Sequence, residues 1–428
     1  MSVAELLTLG VFALILLSVP IGFAIVAASA ALLIWLDGPS LMVVPQRVFG
    51  GIDSFALLAI PFFLLTGNLM SAGGMTGRLL DFANSVLGRF RGGLAMSGIM
   101  ASTLFAGISG SAVADTSALG RILIPAMKKA GYRADFAVAS IAAANVVAPI
   151  IPPSIAFIVL GVLTNQSITQ LFLAGLVPGA LYGVAMLLLA WWIARRRNYP
   201  VSAVAEKGAV WRAFKASAFA LLLPLFILFG IRTGVFNVTE CSAVAVIYAL
   251  LVGTLVHREL TLAKFIDALR QTARMTAVIL IIVGAARVFS WILAYYNVPT
   301  EVAAFVSEHI SHPLVFLLLI NLILLVVGMF LEANAAIVML VPVLFPIAAS
   351  LGIDPLHFSV VMVLNLCIGL ITPPVGLCLN IAAVIGRLSL ERAALGVLPF
   401  LGMAFGVLLL ITLFPSLVTF IPSLLGGR

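Results

Sequence analysis

"APIIPPSIAFIVLG", residues 148–161, decides how the rest of the chain must be read. Adjacent Pro152 and Pro153 remove two backbone donors, and each proline disfavours the α region for the residue before it, so a helix entering this stretch has to break. The break falls inside an apolar run. Broken backbone in a dry environment leaves carbonyls and amides unpaired, and this is tolerated only where other protein groups or a cavity meet them.

Composition supplies the environment. Of 428 residues 63% are hydrophobic and 9% charged, against about 25% charged in a globular domain. Apolar runs such as Leu171 to Ala194 and Ala216 to Ile231 recur along the whole length, and a bilayer crossing needs roughly 20 such residues. The chain therefore reads as an all-α polytopic membrane protein, one unit over residues 1–428 with no separate soluble domain. Its net charge of +8 is expected to mark cytoplasmic loops rather than nucleic-acid binding. Cys241, Cys367 and Cys378 sit in apolar runs without disulfide or metal spacing and read as packing residues. The stretch Leu6 to Leu36 exceeds a secretory signal in length and carries Glu5 but no Lys or Arg ahead of it, so it is expected to be retained. Pro20 near its middle leaves one kinked span and a tight helical pair both open.

A repeat lies inside the chain. A shift of 221 positions aligns Gly107 with Gly328, Pro125 with Pro346, Gly131 with Gly352, and Pro152–Pro153 with Pro373–Pro374. It also aligns Gly175 with Gly396 and Pro178 with Pro399. Gly and Pro report backbone geometry directly, so one ungapped register predicts two copies of one fold, over about 53–194 and 274–415.

Charge predicts their orientation. Arg89 and Arg91 precede the stretch that reaches "GISGSAVAD", and Lys128, Lys129 and Arg133 follow its return, so residues 92–109 and 112–127 read as a re-entrant hairpin entered from the cytoplasm. Around the second hairpin stand Glu308, His309, His312 and Asp354, with no Lys or Arg near. It is expected to enter from the opposite side. Two crossings, about 216–231 and 239–257, separate the copies, bracketed by the basic loop 195–215 and by Arg258, Lys264, Arg270 and Arg274. The copies are thus expected to be inverted, with the N-terminus cytoplasmic and the C-terminus periplasmic. Ahead of each hairpin an amphipathic stretch, Leu79 to Phe90 or Val302 to Ile310, reads either as a linker to a moving unit or as an ordinary interfacial helix.

The second break, "GLITPPVG" at residues 369–376, matches the first. Two broken helices and two hairpin tips would meet near mid-membrane, where freed carbonyls and half-helix ends can coordinate a cation. Ser109, Ser111 and Asn145 in the first copy, and Asn334, Asn365 and Thr372 in the second, supply hydroxyl and amide oxygens nearby. Asp115, Glu332 and Arg287 are charges inside the membrane and are candidates for contact with substrate. Arg287, read as lying deep in a span over about 272–296, either holds a substrate carboxylate or pairs structurally. Arg121 is expected to reach back to the cytoplasmic surface.

"LFAGISGSAVADTSALGRILIPAMKKAGY" followed by "APIIPPSIAFIVLG" resembles the large membrane subunit of the tripartite ATP-independent periplasmic (TRAP) transporters, and the similarity extends over essentially the whole chain. "GIDSFALLAIPFFLLTGNLM", "GMFLEANAAIVMLVPVLFPIA" and "GLITPPVGLCLN" fit the same family in the expected order. The resemblance implies an inverted-repeat, elevator-type ion-transporter fold with two re-entrant hairpins and two broken helices. It implies a sodium-coupled importer of small organic acids, C4-dicarboxylates, sialic acids or similar carboxylates, in the bacterial inner membrane, working with a separate small membrane subunit and a periplasmic solute-binding protein. One sodium site would use Ser109, Gly110, Ser111, Asn145, Pro149 and the first proline pair, Pro152 and Pro153. The other would use Asn334, Gly369, Thr372 and the second pair, Pro373 and Pro374. The tip "SGSAVAD" corresponds to "EANAA" in the second copy, so the two cages are expected to differ.

Other classes lack their residues. No lysine follows a glycine, as a phosphate-binding loop requires, and no HExxH is present. No catalytic residue, cofactor or metal other than sodium is expected. The alternative within reach is a stand-alone sodium-coupled carboxylate symporter of the same broad architecture.

Overall fold

A computed structural model describes residues 3–201, 208–310 and 312–425. The middle of the expected basic loop, residues 202–207 with Lys207, lies outside them. The described residues form helices joined by turns, with one isolated bridge between Arg91 and Val201.

The chain opens with α1 (Val3–Leu16) and α2 (Ile21–Trp35), which pack against each other. Leu6 to Leu36 is therefore a helical pair rather than one kinked span. Ser18 takes a positive φ of 65° and Pro20 caps α2, a position where its missing donor costs no helical hydrogen bond. There follow α3 (Val43–Ile52), a single 3₁₀ turn at Phe55–Leu58, α4 (Ala59–Ala72) and α5 (Met75–Leu87). A first set comprises α6 (Gly93–Ser109), α7 (Ala112–Lys129), α8 (Ala134–Asn145), α9 (Ile155–Thr164) and α10 (Ile168–Arg196). Next come α11 (Ala209–Arg232), α12 (Val238–Leu251) with a π turn at Val252–Val256, and α13 (Leu262–Tyr295). The second set is α14 (Val298–His309), α15 (Pro313–Phe330), α16 (Ala333–Ser350), α17 (Pro355–Gly369), α18 (Leu377–Gly386) and α19 (Leu390–Leu413), closed by α20 (Ser416–Leu425).

After the 221-residue shift, α6 to α10 and α15 to α19 begin within one residue of each other, and α5 and α14 within two. The packing exchanges partners between the sets. The short helix α9 lies on α16, while α18 lies on α7 and α8. Likewise α19 packs on α8 and α17 on α10.

Among the described residues, eight helices are long and apolar enough to cross a membrane. Leu222, Leu225 and Phe229 on α11, and Leu322, Val326 and Phe330 on α15, are exposed, as a lipid-facing surface requires. The 34 residues of α13 make it about 51 Å long, well beyond the roughly 30 Å of a hydrocarbon core. It begins ten residues before the span read from sequence. Lys264, Asp267, Arg270 and Arg274 are exposed within its first turns rather than in a loop ahead of it, and Thr261 caps the start by accepting from the Lys264 amide at 3.4 Å.

Basic residues gather at one end. Arg91 donates to the Asn198 side chain, Tyr132 to the Pro200 carbonyl at 3.5 Å, and Lys128 to the Gly386 carbonyl at 2.8 Å. Asp135 receives Arg133 at 2.7 Å and Arg197 at 3.9 Å. These contacts bring together the start of α6 and the ends of α7, α10 and α18. Arg195 and Arg196 stand over Trp191 and Trp192 at 5.5 and 4.2 Å, and Lys215 over Trp211 at 5.2 Å. Such aromatic and basic pairs suit a membrane–water boundary.

Candidate functional site

Each hairpin turns with a capped second arm. At the first tip Gly110 adopts a φ of 63°, and Ser111 caps α7 by accepting from the Ala114 amide at 3.4 Å. A Cβ on Gly110 would come 2.7 Å from the Pro153 carbonyl oxygen, so the tip sits directly on the first helix break. The residue 221 positions after Ser111 is Glu332, and it does the same work with a carboxylate. It accepts from the amides of Asn334 and Ala335 at 2.9 and 3.3 Å and from Asn334 Nδ2 at 2.8 Å. Beside the second tip Gly328 and Gly369 meet backbone to backbone, since a Cβ on Gly369 would lie 2.4 Å from the Gly328 carbonyl carbon. The Gly376 amide donates to the Met329 carbonyl at 3.2 Å, tying the second break to its own hairpin.

The breaks are ordered by local bonds. α8 ends at Asn145, and the chain turns through Pro149, Pro152 and Pro153 before Ser154 caps α9, accepting from the Phe157 amide at 3.1 Å and donating to the Pro149 carbonyl. Tyr182 in α10 donates to the Ala143 carbonyl at 2.9 Å, fixing the last turn before the break. In the second copy Thr372 donates to the Ile368 carbonyl at 2.8 Å, which leaves its oxygen lone pairs free. Both proline–proline bonds, Pro152–Pro153 and Pro373–Pro374, are cis.

Several buried oxygens around these junctions have no hydrogen-bond partner among the described residues. They are the amide oxygens of Asn145, Asn334 and Asn365 and one carboxylate oxygen of Asp115. The nitrogen of each asparagine is engaged: Asn145 donates to the Ile141 carbonyl at 2.9 Å and Asn365 to the Asn321 carbonyl at 2.8 Å. An unpaired buried acceptor costs about 1–3 kcal/mol. Oxygen donors of this kind suit a hard cation rather than a soft one, and no cluster of three His, Cys, Asp or Glu exists among the described residues. The orphaned oxygens at these junctions are of the type that a hard cation such as sodium takes as ligands.

Against the first hairpin lies a cavity of about 400 Å³. Ser109, Ser111, Asp115, Ser117 and Arg121 form one wall, and Asp115 accepts a hydrogen bond from Ser109. The other wall comes from α4, with Asn68 and Ser71, and from α13, with Lys264, Asp267 and Gln271. Asn68 donates to Thr272 at 2.9 Å and so joins α4 to α13 behind the cavity. Nothing local in the sequence marked this second wall; Asn68 inside an apolar run was the available signal.

The three charged candidates do not line one cavity: Asp115 lines it, whereas Glu332 caps α16 and Arg287 is not among the lining residues. Arg287 donates to the Val162 carbonyl at 3.1 Å in the last turn of α9, where the negative end of a helix favours a cation. Its stem covers Gly51. Arg121, expected at the cytoplasmic surface, is exposed and lines the cavity.

Matched hairpins docked on matched helix breaks, with a cavity beside one of them that carries charged and hydroxyl side chains among apolar ones, have the architecture of a multi-pass membrane transporter. Over residues 8–417 the chain matches the family described as tripartite ATP-independent periplasmic transporter, DctM component, and it belongs to that family. It is the large membrane subunit of a TRAP transporter. It is 41% identical to the sialic acid TRAP transporter large permease protein SiaM of Vibrio cholerae, over 98% of both chains. With the 2,3-diketo-L-gulonate TRAP transporter large permease protein YiaN of Escherichia coli it shares 38% identity over 94% of this chain and 95% of that one. Its fold is similar to that of the YdaH transporter of Alcanivorax borkumensis, with a TM-score of 0.62 at 17% identity, covering 88% of this chain and 89% of that one.

Proposed function

We propose that this chain imports a small organic acid by sodium coupling, in the inner membrane, from a periplasmic solute-binding protein and together with a separate small membrane subunit. The observation that carries the sodium reading is the set of unpartnered buried amide oxygens, Asn145, Asn334 and Asn365, placed where hairpins and broken helices meet. The first site would draw on Ser109, Gly110, Ser111, Asn145, Pro149 and the carbonyls near Pro152 and Pro153. The second would draw on Asn334, Gly369, Thr372 and the carbonyls near Pro373 and Pro374. The cavity beside Asp115 is the place for the acid, and its walls belong to two groups of helices, as an elevator motion of one against the other needs. The repeats in this reading are inverted, with the N-terminus cytoplasmic and the C-terminus periplasmic. The carboxyl chemistry in the relatives' names supports the class of substrate.

The test is uptake into liposomes holding this chain and its small partner, with the cognate binding protein outside. Uptake should follow an inward sodium gradient, and Asn145→Ala and Asn334→Ala should each raise the sodium concentration for half-maximal rate by roughly tenfold, the worth of one charge-assisted contact. Unchanged sodium dependence in both variants removes these side chains from the sites. Saturable uptake without any binding protein would favour a stand-alone symporter instead.

A further inference from the structure

A second cavity, about 250 Å³ in volume, lies against the second hairpin, enclosed by α1, α13, α14, α15 and α16. It is the counterpart of the first. The 221-residue shift carries Asn68, Ala72 and Ala118 of the first cavity onto Phe289, Leu293 and Met339 of the second. The same shift carries Asp115, Ser117 and Arg121 of the first hairpin's wall onto Ala336, Val338 and Pro342. One recess of the repeat thus carries charged and hydroxyl groups, and its counterpart is apolar. Of the described residues that line the second, Thr8 alone has a polar side chain.

We propose that the second cavity holds one acyl chain of a membrane phospholipid, seated between α13 and the second hairpin. A charged or polyhydroxylic solute would lie there without partners, and burying polar groups unpaired is costly. Water fares no better, since apolar cavities of about 150 Å³ stay dry and accept apolar molecules. The rim points to the bilayer as the source. Phe12, which lines the cavity, is 40% exposed, and Leu9 on the same helix is exposed with it. On α15, which supplies Val327 and Leu331 to the lining, Val326 and Phe330 are exposed on the face that meets lipid. A lipid tail gains nothing in transfer from hydrocarbon to a recess equally apolar. What favours it there is dispersion contact, because the lining atoms of an empty recess lack partners on one side. The site needs only a bilayer around the chain, and it is independent of how the first cavity is used.

The test places the complex of this chain and its small membrane subunit in nanodiscs of phosphatidylcholine with brominated tails, and compares its cryo-EM map with one from unbrominated lipid. Excess density should appear between Phe289, Leu293 and Met339. Val302→Phe and Leu340→Phe fill the cavity from α14 and from α16, and each should lose that density. Both add apolar volume to a void, so the complex should stay assembled. Leu322→Phe, on the exposed face of α15, should keep the density. A wild-type cavity without bromine density overturns the proposal, whatever the variants do. So does occupation of the cavity by a side chain of the small subunit, or bromine density that persists in both filling variants.

Discussion

Gly110→Ala strikes the contact on which the proposed first ion site depends. The residue has a φ of 63°, and a Cβ there would stand 2.7 Å from the Pro153 carbonyl oxygen. The left-handed backbone costs an L-residue about 1–2 kcal/mol, and forcing an extra carbon into a packed position typically adds about 1–3 kcal/mol. Gly131 separates the two contributions: its φ is 88°, yet a Cβ there would meet nothing within 4 Å. Gly131→Ala should therefore lower the unfolding midpoint and leave sodium dependence alone. If the tip must seat on the break to close the sodium site, the penalty at Gly110 falls on the bound state, and even about 2 kcal/mol raises the half-saturating sodium concentration roughly thirtyfold. Sodium titrations of uptake, with thermal unfolding of the same preparations, read both quantities. A Gly110→Ala protein with the sodium dependence of Gly131→Ala would refute the idea that the tip and the break together form the site.

Two further outcomes follow from charge placement. In a chain otherwise free of accessible cysteine, Lys215→Cys should be labelled by an impermeant reagent only from the cytoplasmic side and Glu308→Cys only from the periplasmic side; labelling of both from one side would end the inverted arrangement. Arg287→Met keeps a stem over Gly51 but loses the 3.1 Å bond to Val162, so it should destabilise the protein by about 1.5–3 kcal/mol and leave the half-saturating substrate concentration unchanged. A raised substrate requirement at unaltered stability would return Arg287 to the binding site.

The register of helices was legible because prolines and glycines act on the backbone whatever surrounds them. Pro152, Pro153, Pro373 and Pro374 mark breaks from sequence alone, and Gly110 marks the tip. The start of α13 was not legible, because charged residues on an exposed helix face look like a loop beside a span. From Leu262, Arg287 is 25 residues along the helix and about 38 Å from its start, which is why it meets the end of α9 rather than the cavity. The cavity's second wall was hidden for a different reason. It depends on contacts such as Asn68 with Thr272, 204 positions apart, and no local pattern encodes an apposition of that range.

The exchange of partners between the two sets of helices also bears on how such a chain could be assembled or divided. α9 rests on α16, and α18 rests on α7 and α8, so each half supplies the surface that the other half's short segment needs. A ten-residue helix such as α9 or α18 is too short to hold itself. On this packing each half depends on the other to cover its short helix. A chain cut between α10 and α11 would behave as two obligate fragments, recovered when made together and lost when made apart.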